Sequence, residues 1–167
     1  MASLPKPPLH AAVAWRPLRG TDVPYVAALE AQIHAAPWTP GNFRDALAAG
    51  YSALVGEREG RVVAYGVLML GPGEAQLLNL SVVPDARRVG LGRMLLDRFL
   101  REAVRLGAEH VFLEVRVGNV PAIALYEQAG FEPVARRAEY YPPDADGRRE
   151  DALVMRRLVD LPEIRGV

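Results

Sequence analysis

The sequence predicts an α/β fold of the α+β kind: a mixed sheet with helices on both faces. Three observations predict it. Apolar residues recur with a period of two in some runs and about 3.6 in others, in the order β-αα-βββ-α-β-α-ββ. Turn residues stand between these runs, at Pro17, Gly50, Glu59-Gly60, Gly71–Gly73, Gly107 and Gly130. The chain has 167 residues, 50% of them apolar, with no internal repeat or linker, which suits one domain with a sizeable core.

Each element has its own signal. "AAVAWRPL", residues 11–18, is a short strand ended by Pro17. Thr21 or Asp22 caps a helix with Pro24 in its first turn, where a missing N–H does no harm. Val26, Leu29 and Ile33 share its apolar face, with Glu30 as a polar neighbour. "PWTPGNF" is a turn, and a second short helix runs through Ala48 to Gly50. "YSALVGERE" and "RVVAYGVLML" flank the hairpin-like Glu59-Gly60, and "EAQLLNLSVV" is a third strand closed by Pro84-Asp85. A helix spans about residues 90–106, with Leu91, Met94, Leu95, Phe99 and Ala103 at helical spacing. "HVFLEVRV" is a central strand, and Asn119 caps a helix ending at Gly130. "FEPVARRAEYY" and "EDALVMRRLV" are the last strands, separated by "PPDADGRR". Residues 1–10 read as a disordered leader, 11–160 as the single domain and 161–167 as a C-terminal tail.

The totals exclude several chemistries. Acidic and basic residues balance at 20 each, so no strong field points to nucleic acid or an anionic membrane. With no cysteine there is no disulfide, thiolate metal site or cysteine nucleophile. His10, His34 and His110 lack the spacing of a zinc motif, and no metal is expected. No apolar run approaches the ~20 residues of a membrane span. A cytoplasmic protein is the expectation.

Two constellations carry chemistry. In "RRVGLGR", Gly90 and Gly92 follow a strand and open a helix, where free N–H groups and the helix dipole favour an anion. Arg87, Arg88 and Arg93 add positive charge. A pyrophosphate cradle and a tight turn with a glycine-tolerant cap both fit. A third glycine for a dinucleotide fingerprint and a Lys-Ser/Thr pair for a P-loop are missing. In "LEVRVGNVPAIALYEQAGF", Glu114 interrupts an apolar strand, with Leu113 and Val115 pointing to the opposite face. Apolar surroundings would raise its pKa and suit a general base; pairing with Arg116 or another arginine is the alternative. Asn119 is a helix cap that could also touch a ligand, and Tyr126 is either a core tyrosine or a proton donor to a leaving group.

Read together, "HAAPWTPGNF", "NLSVVPDARRVGLGRMLL", "LEVRVGNVPAIALYEQAGF" and "YYPPDADGRREDALVM" resemble the GNAT superfamily of N-acetyltransferases. Within it they resemble the RimI type, which acetylates the N-terminal alanine of small-subunit ribosomal protein eighteen. The resemblance implies a GNAT-like fold, a mostly antiparallel sheet splayed between two parallel strands, with 11–160 as the N-acetyltransferase domain. It implies acetyl-CoA as cosubstrate, its pantetheine in the gap. Leu80, Ser81 and Val82 would offer backbone groups to that arm, Val82 donating to the carbonyl oxygen. Arg88, Val89, Gly90, Leu91, Gly92 and Arg93 would hold the pyrophosphate, and Asn119 would contact the cofactor. Glu114 would be the base and Tyr126 the acid. Trp38, Tyr140, Tyr141 and Asp151 would line the peptide groove; for Tyr140 and Tyr141 a packing pair before Pro142 is the alternative. Val89 stands where this family often has a basic residue, and Ala36 where a larger one is expected.

The implied partner is the ribosomal protein's N-terminus, with no direct nucleic acid or membrane partner and a monomer or weak homodimer as the working state. Without cysteine, transfer is direct: a deprotonated amine attacks the thioester while both substrates are bound. Two rival readings remain open here, a broader amine acceptor range and a non-catalytic CoA-binding module.

Overall fold

In the computed structural model the described residues are 12–159. The expected leader and the C-terminal tail lie outside them. Strand β1 (Ala14–Pro17) is followed by helices α1 (Val23–Ile33) and α2 (Pro40–Ala48), then by strands β2 (Ser52–Arg58), β3 (Arg61–Gly71) and β4 (Glu74–Val82). Helix α3 (Leu91–Arg105), β5 (His110–Arg116), α4 (Val120–Gln128), β6 (Glu132–Arg137) and β7 (Ala152–Leu158) complete it. The seven strands form one sheet in the order β1-β2-β3-β4-β5-β7-β6. All neighbours are antiparallel except β4 and β5. A parallel pair needs a crossover, and α3 supplies it.

Local chemistry sets several boundaries. Thr39 caps α2: its hydroxyl accepts from the Asn42 N–H at 3.1 Å, and the Asn42 side chain accepts from the Thr39 N–H at 2.9 Å. Glu59 and Gly60 have φ of 53° and 74°, both left-handed, as a two-residue hairpin turn of the I′ kind requires. The start of α1 differs from the expected side-chain cap. A 3-10 turn, Gly20–Asp22, precedes it. The Asp22 carboxylate is taken by Arg16, with both oxygens at 2.7 Å, and by the Arg19 N–H at 2.7 Å. Strand β6 also ends earlier than expected, at Arg137. The chain turns there through Glu139 at φ 47°, whose N–H donates to Asp151 at 2.8 Å.

The two sheet faces carry separate cores. Leu91, Leu95, Leu96, Phe99, Leu100 and Ala103 of α3 are buried against one face, where Tyr126 and Ala129 at the end of α4 join them. Val23 and Val26 of α1 and Phe43 and Ala46 of α2 pack against Val55, Tyr65 and Val67 on the other.

The feature that positions the site is an irregularity in β4. Leu68 of β3 pairs with Leu77 and Val67 pairs with Asn79, so Leu78 is an extra residue, a bulge. Before it, Ala75 and Leu77 face α3; after it, Leu80 does, and Asn79 and Ser81 are turned toward α1. The parallel ladder ends there too. Its last pair is Leu77 with Leu113, although β4 continues to Val82 and β5 to Arg116. Beyond that point each strand bonds only to its outer neighbour, and the sheet opens between them.

Candidate functional site

The opening between β4 and β5 forms a cavity of about 240 Å³. Leu80 of β4, Glu114 of β5, Asn119 and Tyr126 of α4, Trp38 before α2 and Tyr141 after β6 line it. Six of the expected site residues thus meet in one space, although they lie as far apart in sequence as residues 38 and 141.

Glu114 stands between Leu113 and Val115, which are buried on the α3 side, so it projects from the opposite face. It does not sit in purely apolar surroundings. Arg137 Nε lies 3.4 Å from its carboxylate. The Tyr140 phenol is held above its ordinary pKa, first by hydrogen bonding to Glu114 and then by burial. The arginine partner is therefore Arg137; Arg116 instead reaches Glu150 at 3.5 Å and stacks 4.0 Å from the Tyr141 ring centre. Burial, with the Glu114 charge adding to it, pushes Tyr141 up to about 12.

Tyr126 approaches the opening from the α3 and α4 side. Its ring packs edge-on against Phe131, with centres 5.9 Å apart. Burial, and Tyr141 nearby, raise its pKa well above the usual phenol value. The phenol therefore stays protonated at neutral pH, as a hydrogen-bond or proton donor must. The Asn119 side chain accepts from the Ala122 N–H at 3.3 Å, so it caps α4 while lining the cavity.

The remaining expected residues lie apart from that cavity. Ser81 is buried toward α1. The Val82 carbonyl accepts from Arg87 Nε at 3.1 Å, which ties the glycine loop back to β4. Gly90, at the N-cap of α3, has φ 83°, a left-handed conformation that side chains other than glycine resist. A Cβ at Gly92 would meet Leu125 at 3.4 Å and Val82 at 3.8 Å, ordinary contacts. Protein packing therefore does not require glycine at 92. Arg88 is itself left-handed, at φ 66°, and Arg93 pairs with Asp97 at 3.0 Å. Val89 and Leu91 pack into the small core under this loop. Tyr140 packs on Tyr141, ring centres 5.2 Å apart, and Asp151 accepts from Arg136 Nε at 2.7 Å. Those two residues shape the segment joining β6 to β7.

The cavity also holds residues that the sequence reading did not assign. Glu30, His34 and Asn79 line it. Glu30 is 2% exposed, a buried carboxylate on an otherwise apolar helix face. It accepts from the Tyr65 hydroxyl at 2.6 Å and from Asn79 Nδ2 at 3.1 Å. Ser81 donates to Asn79 Oδ1 at 2.8 Å, and His34 Nε2 lies 2.7 Å from Ser81 Oγ. The signal was present: an acid inside the apolar stripe of α1, and two polar residues in "LLNLSVV". That they converge follows only from the bulge at Leu78. Among the described residues no group of three or more His, Cys, Asp or Glu could hold a metal ion.

Comparison with known proteins agrees with this geometry. The profile described as "Acetyltransferase (GNAT) family" matches residues 21–131. The chain is 38% identical over 138 residues to the [ribosomal protein bS18]-alanine N-acetyltransferase of Escherichia coli strain K12, covering 83% of this chain and 92% of that one. It is 32% identical over 127 residues to the protein of the same name from Haemophilus influenzae, covering 76% and 86%. The crystal structure of the ribosomal-protein-S18-alanine N-acetyltransferase from Escherichia coli superposes with a TM-score of 0.82 at 36% identity, covering 89% of this chain and 95% of that one.

Proposed function

The chain belongs to the GNAT acetyltransferase family, and from that premise we propose that it moves acetyl from acetyl-CoA to the N-terminal alanine of ribosomal protein bS18, by direct transfer with both substrates bound. The observation that carries this reading is the opening between β4 and β5, where a carboxylate from one sheet face and a protonated phenol from the other line a single cavity.

The residues fit the donor. Gly90 leaves the first N–H groups of α3 uncovered, and Gly92 is a glycine that protein packing alone does not demand. Both are what close approach of a pyrophosphate asks of a helix N-terminus, with Arg88 and Arg93 adding charge. Leu80, Ser81 and Val82 would hold the pantetheine arm through backbone groups, and Asn119 would contact it from α4. Acetyl-CoA supplies the acyl group as an activated thioester.

The chain's own residues then move protons. Glu114 accepts a proton from the acceptor nitrogen, because only an unprotonated amine has a lone pair to attack with. The Val82 N–H donates to the carbonyl oxygen as its charge grows. Tyr126 donates to the departing sulfur. Trp38 and Tyr141 wall the entrance for the peptide, with Tyr140 behind Tyr141. The enzyme acts in the cytoplasm as a monomer or weak homodimer.

The test is thiol release from acetyl-CoA with peptides that differ only in their first residue, beside a free polyamine. The peptide beginning with alanine is expected to turn over fastest. Equal turnover of the polyamine and that peptide would assign a broad amine acceptor instead, and no amine-dependent thiol release would leave a CoA-binding module.

A further inference from the structure

Resting on that reading, we propose that His34, backed by Glu30, is a second proton acceptor for the incoming amine, working from the α1 wall of the cavity while Glu114 works from β5. Reaction stoichiometry requires two protons to leave the acceptor nitrogen, and two bases on different walls can each take one. An α-amino group has a pKa near ~8 and arrives mostly as ammonium at neutral pH. As the C–N bond forms and the C–S bond breaks, its nitrogen sheds two protons. One must leave before the nitrogen can attack, and the other leaves as the amide forms. Tyr126 gives one proton to the sulfur and regains it from Glu114. The remaining proton passes to His34 and then to solvent, so the reaction releases one proton overall.

The hydrogen bonds fix which His34 nitrogen is available. Asn79 Nδ2 faces the Glu30 oxygens, so Asn79 presents Oδ1 to Ser81. Ser81 uses its one hydroxyl proton on that oxygen, and its own oxygen must accept from His34 Nε2–H at 2.7 Å. Neutral His34 therefore carries its proton on Nε2 and its lone pair on Nδ1. When Nδ1 takes a proton, the imidazolium has the Glu30 carboxylate 3.7 Å away as counter-charge.

The other groups around this space are less suited. Arg116 is a cation already held by Glu150, and Tyr126 and Tyr141 are phenols whose raised pKa keeps them protonated. Glu30 is buried, and its oxygens are occupied by Tyr65 and Asn79. His34 is 39% exposed, open to solvent for the release step. Imidazole is also the side chain whose ordinary titration range, about pH 5 to 8, suits an acceptor at neutral pH.

The experiment begins with the full chain, acetyl-CoA and the alanine-first peptide. If this protein releases no thiol with any amine, the functional reading fails and this inference falls with it. If it turns over, His34→Gln decides the inference separately. Glutamine places an amide N–H where Nε2 stood, so it still offers Ser81 a donor, but it accepts no proton at neutral pH. The expected result is a loss of about 10²-fold in kcat, KM for acetyl-CoA little changed and the melting temperature kept. Glu30→Gln removes the counter-charge, so the acidic limb of the pH profile should move to lower pH. Added imidazole should restore part of the turnover of His34→Ala. Independently of activity, ¹⁵N-histidine spectra of the free protein should show the Nε2–H tautomer at His34. Wild-type turnover and pH profile in His34→Gln, or an Nδ1–H tautomer, would overturn the inference.

Discussion

Tyr126 sits in surroundings unlike those of an ordinary surface phenol. Burial keeps it neutral, so ionisation of this phenol should not reduce activity at any pH below about 10. Tyr126→Phe keeps the ring contact with Phe131 and removes only the hydroxyl. Steady-state kinetics should show kcat falling by about 10²- to 10⁴-fold; a fall of less than about threefold would make Tyr126 a packing residue. Glu114→Gln should lower kcat, with acetyl-CoA affinity by calorimetry little changed. The two loop glycines should part company. Gly90→Ala places a side chain at φ 83° and should cost about 1 kcal/mol in denaturant melts. Gly92→Ala meets only ordinary contacts, so stability should hold while acetyl-CoA binding weakens. Equal binding by the Gly92→Ala protein would return that glycine to a purely local role.

At the scale of elements, the joint between β1 and α1 is electrostatic. Arg16 holds Asp22 in the turn before α1 and Glu57 in β2, at 2.7 and 2.6 Å. Hydrogen bonding to Arg16 keeps the Asp22 carboxyl below its ordinary pKa. A carboxyl depressed in the folded state stabilises the protein above its unfolded pKa, and that contribution fades as pH falls through the folded value. Asp22→Asn should therefore melt below wild type at pH 7, and the difference should shrink as the pH drops below about 4. Strand β4 is the second informative element. Its burial alternates along the strand, yet the alternation changes faces at Leu78. The sequence run "QLLNLSVV" shows a strand but does not show which residue is extra. Cross-strand pairing with β3 decides that, and with it which side chains reach α1.

For the whole molecule, α3 is the crossover that makes β4 and β5 parallel and the main cover of one sheet face. Phe99 sits at its centre, 1% exposed, close enough to β3 that a Cβ on Gly66 would lie 2.7 Å from its ring. Phe99→Ala should lower stability by roughly 3–5 kcal/mol in chemical denaturation. The element order, the two-residue hairpin, the start of α3 at a glycine and the segments that carry Glu114 and Tyr126 to the cavity were all legible in the chain. Each depends on local periodicity, on turn stereochemistry or on a resemblance carried by contiguous motifs. The Arg137 partner of Glu114, the use of Asp22 and Asp151 as ties, and the buried line from Tyr65 to His34 were not. Apart from the Asp22 ties and the Asn79–Ser81 step, those contacts join residues 12 to 49 positions apart, and a local pattern holds no record of register. The sequence by itself determined which segments are strands and helices and which family its motifs belong to, because both follow from neighbours along the chain. Only the tertiary structure decided where the sheet opens and which carboxylates face that opening, because a one-residue bulge in β4 exchanges the two faces of everything beyond it.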